Sequence, residues 1–388
     1  MGMIDRLLAP LGFERRTLHS SPSWTAMGLA LGRGPAVNER LAENFAAVCA
    51  CVGAVSSALA MAPAYVYRRT SEGRFEVPDH PLAAMARTAP NERQTWPDMM
   101  EAVVASTLLS GNGLLEIERE GGALSGLRFI PWSWVNVLIA PSGRLAYDVT
   151  EQTGLYGQTG RTRRLLADDV VHIRDRSDDG ILGRSRLSRS ADTVAAALQG
   201  NEFARAFLAN GAAPTGAIRS EQTISPEAME RLRQAFDERQ QGASNAGRVL
   251  ILSDGLTFTP FQVSPEDAEL LGSRKFAVEE ICRLYQVPPP LVQDYSNNTF
   301  TNSQAAGRWF AQFTLGPWAR KIEAALTRSL LPAGSGLEVE IDLSVFLRGD
   351  PEARWAAHKI AVDSGILDAD EIREIEGFNP RGQRAAVA

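Results

Sequence analysis

Two kinds of pattern coexist in this chain and together predict an α+β fold. Short alternating runs bounded by glycine and proline, such as Leu114–Glu118 and the unbroken alternation of Leu337–Leu343, read as strands. Longer stretches with apolar residues three and four apart, opened by cap signals such as Ser264-Pro265-Glu266-Asp267, read as helices. Most strand signals fall before about residue 185 and most long helices after it, so a mixed α/β part precedes a helical one.

Taken in order, residues 1–37 are punctuated by Gly, Ser, Pro and Arg, carry one short apolar patch (Ile4–Leu8), and read as a loosely held arm. From Phe45 to Tyr67 there is no charge, a length sufficient to span a bilayer. That run is mostly alanine, however, and contains Ser56, Ser57 and Pro63. Val48, Val52, Val55 and Leu59 recur along it at helical spacing, which predicts a buried core helix. About 40 residues precede it, which is not the layout of a signal peptide. Tyr65-Val66-Tyr67-Arg68-Arg69 is then a strand. A helix over about Trp96–Leu109 stops at Ser110-Gly111-Asn112-Gly113, and further strands fit Leu127–Ile130, Val135–Ile139 and Val170–Ile173.

Leu187, Ala191, Val194 and Leu198 form a stripe that passes to Phe203 and Phe207, and Asn210-Gly211 followed by Pro214 ends that helix. Ser225-Pro226-Glu227 opens a helix closed by Gly242; Arg248–Leu252 and Leu256–Val263 read as strands about a Ser253-Asp254-Gly255 turn. The helix begun at Ser264 runs to Tyr285 and stops at Val287-Pro288-Pro289-Pro290. After a loop that is polar and uncharged over Asn297–Ser303 comes a longer helix with Trp309, Phe313, Trp318, Ile322 and Leu326 on one side, where Gly316-Pro317 predicts a kink. Two small helices open at Asp350-Pro351 and at Asp368-x-x-Glu371.

The chemistry of the side chains excludes more than it suggests. None of the three lysines, Lys275, Lys321 and Lys359, follows a glycine, so there is no phosphate-binding Gly-Lys-Ser/Thr loop. His19, His80, His172 and His358 stand apart, without the spacing of a metal pair, and His172 reads as a structural histidine within its strand. Cys49, Cys51 and Cys282 make no disulfide framework and fit a reducing compartment. Asp168, Asp169, Asp175, Asp178 and Asp179 form an acidic cluster that a two-metal nuclease would need, but Arg161, Arg163, Arg164, Arg174, Arg176 and Arg184 are interleaved with it. That interleaving reads as an ion-paired face, with the metal-dependent nuclease as the alternative. No cofactor or metal is expected. A net charge of −6 opposes tight binding to nucleic acid.

Short signatures in a fixed order, from about Asn44 to Pro380, resemble the HK97-type phage portal family. They are Asn44-x-x-x-Val48-x-x-Cys51-Val52; Pro90-Asn91 with Gln94-Thr95; and Leu109-Ser110-Gly111-Asn112. Leu127-x-x-Ile130-Pro131-x-x-x-Val135, Gly180-x-x-Gly183-x-Ser185-x-Leu187 and Phe207-x-x-Asn210-Gly211-x-x-Pro214 follow. Val287-Pro288-Pro289 and Leu347-Arg348-x-Asp350 complete the set. Two positions depart from the family: Gly113 stands where Gly-Asn-Ala is common, and Arg186 where a proline is.

The resemblance implies a structural subunit and no enzyme, with a wing at 38–185 and 305–345 and an N-terminal arm at 1–37. It implies stem helices at 186–211 and 264–287, a clip at 212–263, a tunnel loop at 288–304 and a crown at 346–388. Such subunits form a ring, usually a dodecamer, at one capsid vertex of a virion or phage-like particle assembled in the host cytoplasm. Duplex DNA passes through the ring in packaging and ejection. The implied partners are further copies of the chain, the terminase large subunit, the major capsid protein and a head–tail adaptor; no membrane is involved. Asn297, Asn298, Thr299, Phe300, Thr301 and Asn302 are then the expected bore residues, and Glu230, Arg233 and Asp237 the expected docking residues of the clip. Twelve copies at −6 would carry roughly −72, the wrong sign for phosphate affinity and favourable to sliding.

Overall fold

The structure, a computed structural model, describes residues 14–16, 39–152, 159–209, 216–220, 230, 256–260, 266–295, 300–347 and 351–379. The uncharged alanine-rich run folds as α1 (Ala46–Met61), with Val48, Cys51, Val52, Val55 and Leu59 buried. No helix among the described residues is long and apolar enough to cross a membrane. After α2 (Pro81–Arg87), the stripe of α1 meets α3 (Trp96–Ser110), which contributes Met99, Met100, Val103, Val104 and Leu108 to the same core. Sequence signals fix both ends of α3. Thr95 and Asp98 cap each other's backbone, and Gly111 closes the helix at φ 84° with its N–H on the Thr107 carbonyl.

Three antiparallel sheets surround these helices. β2 (Ala64–Thr70), β3 (Gly73–Glu76) and β12 (Leu337–Ile341) run in the order β12-β2-β3. The alternation read in the sequence is realised in β12, where Val339 and Ile341 turn inward while Glu338 and Glu340 pair with Arg69 and Arg74. β4 (Asn112–Glu120), β5 (Ala123–Ile130) and β9 (Val170–Arg174) form a second sheet, ordered β5-β4-β9. β1 (Glu14–Arg16), β6 (Val135–Ile139), β7 (Leu145–Gln152) and β8 (Thr159–Leu166) form a third.

The sequence reading named neither β7 nor β8. Their apolar members, Tyr147, Val149 and Leu165, are masked by the charges between them. Those charges clamp the sheets: Arg163 of β8 and Arg128 of β5 both donate to Glu116 of β4 and to Glu151 of β7. Burial alone would raise the Glu116 carboxyl, but the hydrogen bonds from Arg163 and Arg128 outweigh it and hold it below the usual range.

Two long helices, α4 (Ala191–Ala209) and α5 (Glu266–Tyr285), pack together beyond the sheets. The expected stripe from Leu187 is broken, because Leu187 sits in a separate turn, Arg186–Arg189, and α4 starts afresh after Ser190. Between the two helices, β10 (Gly216–Ser220) pairs with β11 (Leu256–Pro260). The strand expected at Arg248–Leu252 lies outside the described residues, and of the helix expected from Ser225 only Glu230 is described, in helical conformation.

The last part departs from expectation in an informative way. α6 (Phe300–Trp309) leads into a π-helical turn, Phe310–Leu315, and then α7 (Gly316–Leu330). The disturbance expected at Gly316-Pro317 is this wide turn just upstream; Pro317 occupies the first turn of α7, where its missing N–H costs little. The extra residue rotates the helix faces. Trp318, Ile322 and Leu326 are buried with Phe310 and Leu315, whereas Trp309 and Phe313, expected on that side, are 44% and 50% exposed. Glu323 of α7 accepts the Ile341 N–H at 2.9 Å, fastening β12 to the helix. α8 (Pro351–Asp363) and α9 (Ala369–Ile375) finish the described chain.

The register change makes a direct prediction for urea denaturation of the isolated subunit. Leu326→Ala costs about 2–5 kcal/mol, whereas Phe313→Ala stays within about 0.5 kcal/mol. Equal losses would put the two residues back on one face.

Candidate functional site

The acidic cluster disperses on folding. Asp168 accepts from Arg144 at 3.0 Å, Asp169 accepts the Leu166 N–H at 3.1 Å, and Asp178 accepts from Arg184 at 3.1 Å. Asp179 caps its own loop through the N–H groups of Ile181 and Leu182 at 2.8 and 3.0 Å. Each carboxylate is committed to a separate arginine or turn. Among the described residues, no three His, Cys, Asp or Glu side chains converge to hold a metal, and the nuclease alternative has no support.

What does converge is a pair of sequence signatures. Leu109–Asn112 at the end of α3 meets Gly183–Leu187 across 71 residues of chain. A Cβ on Gly183 would lie 1.9 Å from the Gly111 carbonyl oxygen, so only glycine permits the contact. The buried Asn112 amide reads the Gly183 peptide from both sides: Nδ2 donates to its carbonyl at 2.9 Å and Oδ1 accepts its N–H at 2.8 Å. Ser185 donates to the Leu109 carbonyl and accepts the Leu187 N–H, capping the turn that leads to α4.

The same amide fixes His172. Because Asn112 Oδ1 is an acceptor, the His172 Nε2 at 3.0 Å must carry the hydrogen, and the bare Nδ1 accepts from the Tyr147 hydroxyl at 3.1 Å. Burial pushes His172 down to about 3 and Tyr147 up to about 12, so both stay neutral near pH 7. His172 is therefore a structural member of a hydrogen-bond chain, stacked on Trp132.

Asp175, one residue past β9, is the electrostatic centre of the joint. Its N–H donates to the Gly111 carbonyl at 2.9 Å. Its buried carboxylate receives Arg186 at 2.9 Å, Arg189 at 3.0 Å and the Arg176 N–H at 2.7 Å, with Lys321 of α7 at 3.4 Å. Arg186 also donates to the Leu284 carbonyl in the last turn of α5 at 3.0 Å. One carboxylate thus ties β9, the root of α4, the end of α5 and α7 together. Burial by itself would raise the Asp175 carboxyl; Arg186, then the Arg176 N–H and Arg189, outweigh it and hold the group below the carboxylate range. In the sequence Arg186 was visible only as a departure from the family pattern, and no spacing linked it to Asp175.

The loop after α5 has a firm shoulder. Gln286 and Gln293 both take left-handed backbone, at φ 59° and 64°, and the Gln286 carbonyl accepts the Thr314 hydroxyl. Pro289–Val292 forms a 3-10 turn between them. Of the expected bore residues, Asn297, Asn298 and Thr299 lie outside the described residues, while Phe300, Thr301 and Asn302 open α6, so the helix begins earlier than the sequence reading placed it. Of the expected docking residues, Glu230 is exposed; Arg233 and Asp237 lie outside the described residues.

Among the described residues, small sheets whose buried polar groups are tied into joints carry two long helices that pack on each other. The family model for phage portal proteins matches residues 46–377, and the chain belongs to that family. It is 29% identical to a probable portal protein of Streptomyces phage phiC31 over 95% of this chain and 82% of that one. It is 25% identical to the portal protein of Enterobacteria phage HK97, over 89% and 81%. A chain in the neck of a native gene transfer agent particle, computed with C12 symmetry, superposes with a TM-score of 0.59 at 26% identity, over 93% of this chain and all of that one.

The depressed Asp175 carboxyl carries a pH signature. Its contribution is complete above the unfolded value of about 3.9 and is lost as pH falls through the lower folded value. Asp175→Asn, which strands three cations, costs about 3–5 kcal/mol at pH 7. The gap from the parent protein narrows as pH drops below about 3.9. Urea midpoints at several pH values measure it, and a gap independent of pH would assign the loss to packing.

Proposed function

We propose that this chain is the repeating subunit of a ring at one vertex of a phage or gene-transfer particle, with duplex DNA passing through its bore. The observation that carries the reading is the end-to-end similarity to a neck chain from a particle treated with twelve-fold symmetry. The ring would be a dodecamer, held in the shell by the major capsid protein. It would be served by a terminase motor and closed by a head–tail adaptor. Its role is mechanical and electrostatic, with no catalytic step of its own.

In this reading β2 to β9 and β12, α1 and α3, the end of α6 and α7 are the wing (38–185 and 305–345), while β1 lies in the N-terminal arm (1–37). α4 and α5 are the stem (186–211 and 264–287), and β10 with β11 belongs to the clip (212–263). The joint at Asp175, Gly183 and Arg186 supports the wing–stem boundary, since polar ties concentrate where the long helices leave the body. The pinned shoulder from Gln286 to Gln293 supports a tunnel loop at 288–304, and α8 and α9 would form the crown (346–388). Exposed Trp309 and Phe313 lie in tilted contact at 5.4 Å and suit burial against a neighbouring subunit.

Native mass and particle images are the test of the ring: a closed twelve-fold assembly with a hole of roughly 20 Å or more accommodates duplex DNA. A chain that stays monomeric even with its shell proteins present would overturn it. Shortening 296–303 leaves rings intact and lowers DNA filling; unchanged filling removes the loop from the bore. Charge reversal at Glu230 or Asp237 weakens motor docking to intact rings; undiminished docking moves the docking surface away from Glu230, Arg233 and Asp237.

A further inference from the structure

Two of the three cysteines meet across the joint. Cys51 of α1 and Cys282 of α5 are 231 residues apart, yet the Cys51 thiol donates to Cys282 Sγ at 4.0 Å. Both are buried free thiols, while Cys49, two residues earlier on α1, is exposed on the other side of that helix. The bond from Cys51 lowers the pKa of Cys282 against the opposing effect of burial, and the same bond, reinforced by burial, raises that of Cys51. The two titrate as a coupled pair, in which Cys282 is the acceptor of the hydrogen bond.

Cys282 is also the one with a route to solvent. It lines an open groove of about 590 Å³ with Arg283, Pro288, Ala306 and Trp309. That volume admits a small peptide-like disulfide; Arg283 on its wall is paired at 2.7 Å with Glu279, which lines the same groove. Cys51 does not line the groove and is fully buried.

We propose that Cys51 and Cys282 form a disulfide staple between α1 and α5, made by exchange with a low-molecular-weight disulfide that enters through this groove. Cys282 loses its proton to solvent and its thiolate attacks the oxidant. One S–S bond forms at Cys282, and the first small thiolate leaves and is protonated. Cys51 then loses its proton and attacks Cys282 Sγ, forming the intrachain bond and expelling the second small thiol. Two protein thiols are oxidised and one small disulfide is reduced to two thiols. In a reducing cytoplasm the pair stays open during folding and assembly. In a released particle, which rests on the reading proposed above, the staple closes and locks the end of α5 to the core helix.

The test uses the full-length chain, purified under reductant and moved into oxidised glutathione. In the Cys49→Ser chain, which removes the exposed thiol, denatured thiol counts fall from two to none, intact mass drops by about 2 Da with no adduct, and peptide mapping links Cys51 to Cys282. The denaturant midpoint rises and returns on adding dithiothreitol. The parent chain forms the same Cys51–Cys282 link, and any adduct it carries sits on exposed Cys49. Cys51→Ser, or Cys51→Ala if the serine variant folds poorly, stops at a glutathione adduct on Cys282, and Cys282→Ser leaves Cys51 unmodified. Two persistent thiols or a stable adduct on the Cys49→Ser chain, or linkage through Cys49 in the parent, would each overturn the staple. Because this chemistry is read on the chain itself, its failure leaves the ring experiment untouched, and failure to form rings leaves the staple standing.

Discussion

Where Gly183 lies against the carbonyl of Gly111 there is room for a hydrogen and for nothing larger. That approach lets the Asn112 amide grip both edges of the Gly183 peptide and aims the Gly111 carbonyl at the Asp175 N–H. It also delivers Ser185 to the Leu109 carbonyl, so the chain leaves the joint already capped for the turn that precedes α4. The polar groups involved are buried and paired with one another, which makes the arrangement all or nothing: any displaced member leaves an unsatisfied partner in a water-poor interior. Side chains of ordinary size elsewhere adapt to their neighbours, but this contact has no slack.

Asp175 converts that local rigidity into a fixed direction for the long helices. Burying a carboxylate costs several kcal/mol before any partner is counted, so the group contributes direction more than stability. The direction comes from its partners. Arg186 and Arg189 belong to the turn before α4, Lys321 to α7, and Arg186 reaches on to the last carbonyls of α5. An apolar replacement of equal volume would fill the space and leave the helices free to rock. Guanidinium forks do not allow that, because their hydrogen bonds fail with a small change of angle. The neighbouring Cys51–Cys282 contact crosses between α1 and α5 in the same region.

Much of this was legible because it is local. The Val48–Leu59 stripe, the Gly111 stop and the alternation at β12 each depend on residues a few positions apart, and each stands where the sequence put it. The failures share a cause of their own. β7 and β8 hide their period behind Asp148, Glu151, Arg163 and Arg164, whose partners lie on other strands, so charge that looked like surface is the clamp between sheets. The π turn moves Trp309 and Phe313 off the buried face by one residue, a shift that composition does not announce. Arg186 and Asp175 are eleven residues apart and meet only because the Gly111–Gly183 contact folds the chain between them. His172 was read correctly as structural, but its hydrogen-bond chain through Asn112 required the fold.

Under the ring proposed above, symmetry would make the absence of charge from Asn297–Ser303 intelligible. In a twelve-subunit ring a single added lysine or arginine per loop becomes twelve cations around one duplex. If all were engaged, binding would fall with salt at a log–log slope of roughly −11, the behaviour of a tight repressor and not of a passage. A bore that must let kilobases through in both directions therefore gains from residues that donate hydrogen bonds without holding charge, and Asn297, Asn298 and Thr299 are of that kind. In that reading the firm shoulder from Gln286 to Gln293 would serve the same end from the other side. A contact that neither grips nor yields can brush the phosphates repeatedly at little cost, whereas a charged and compliant one would follow the DNA and stall it.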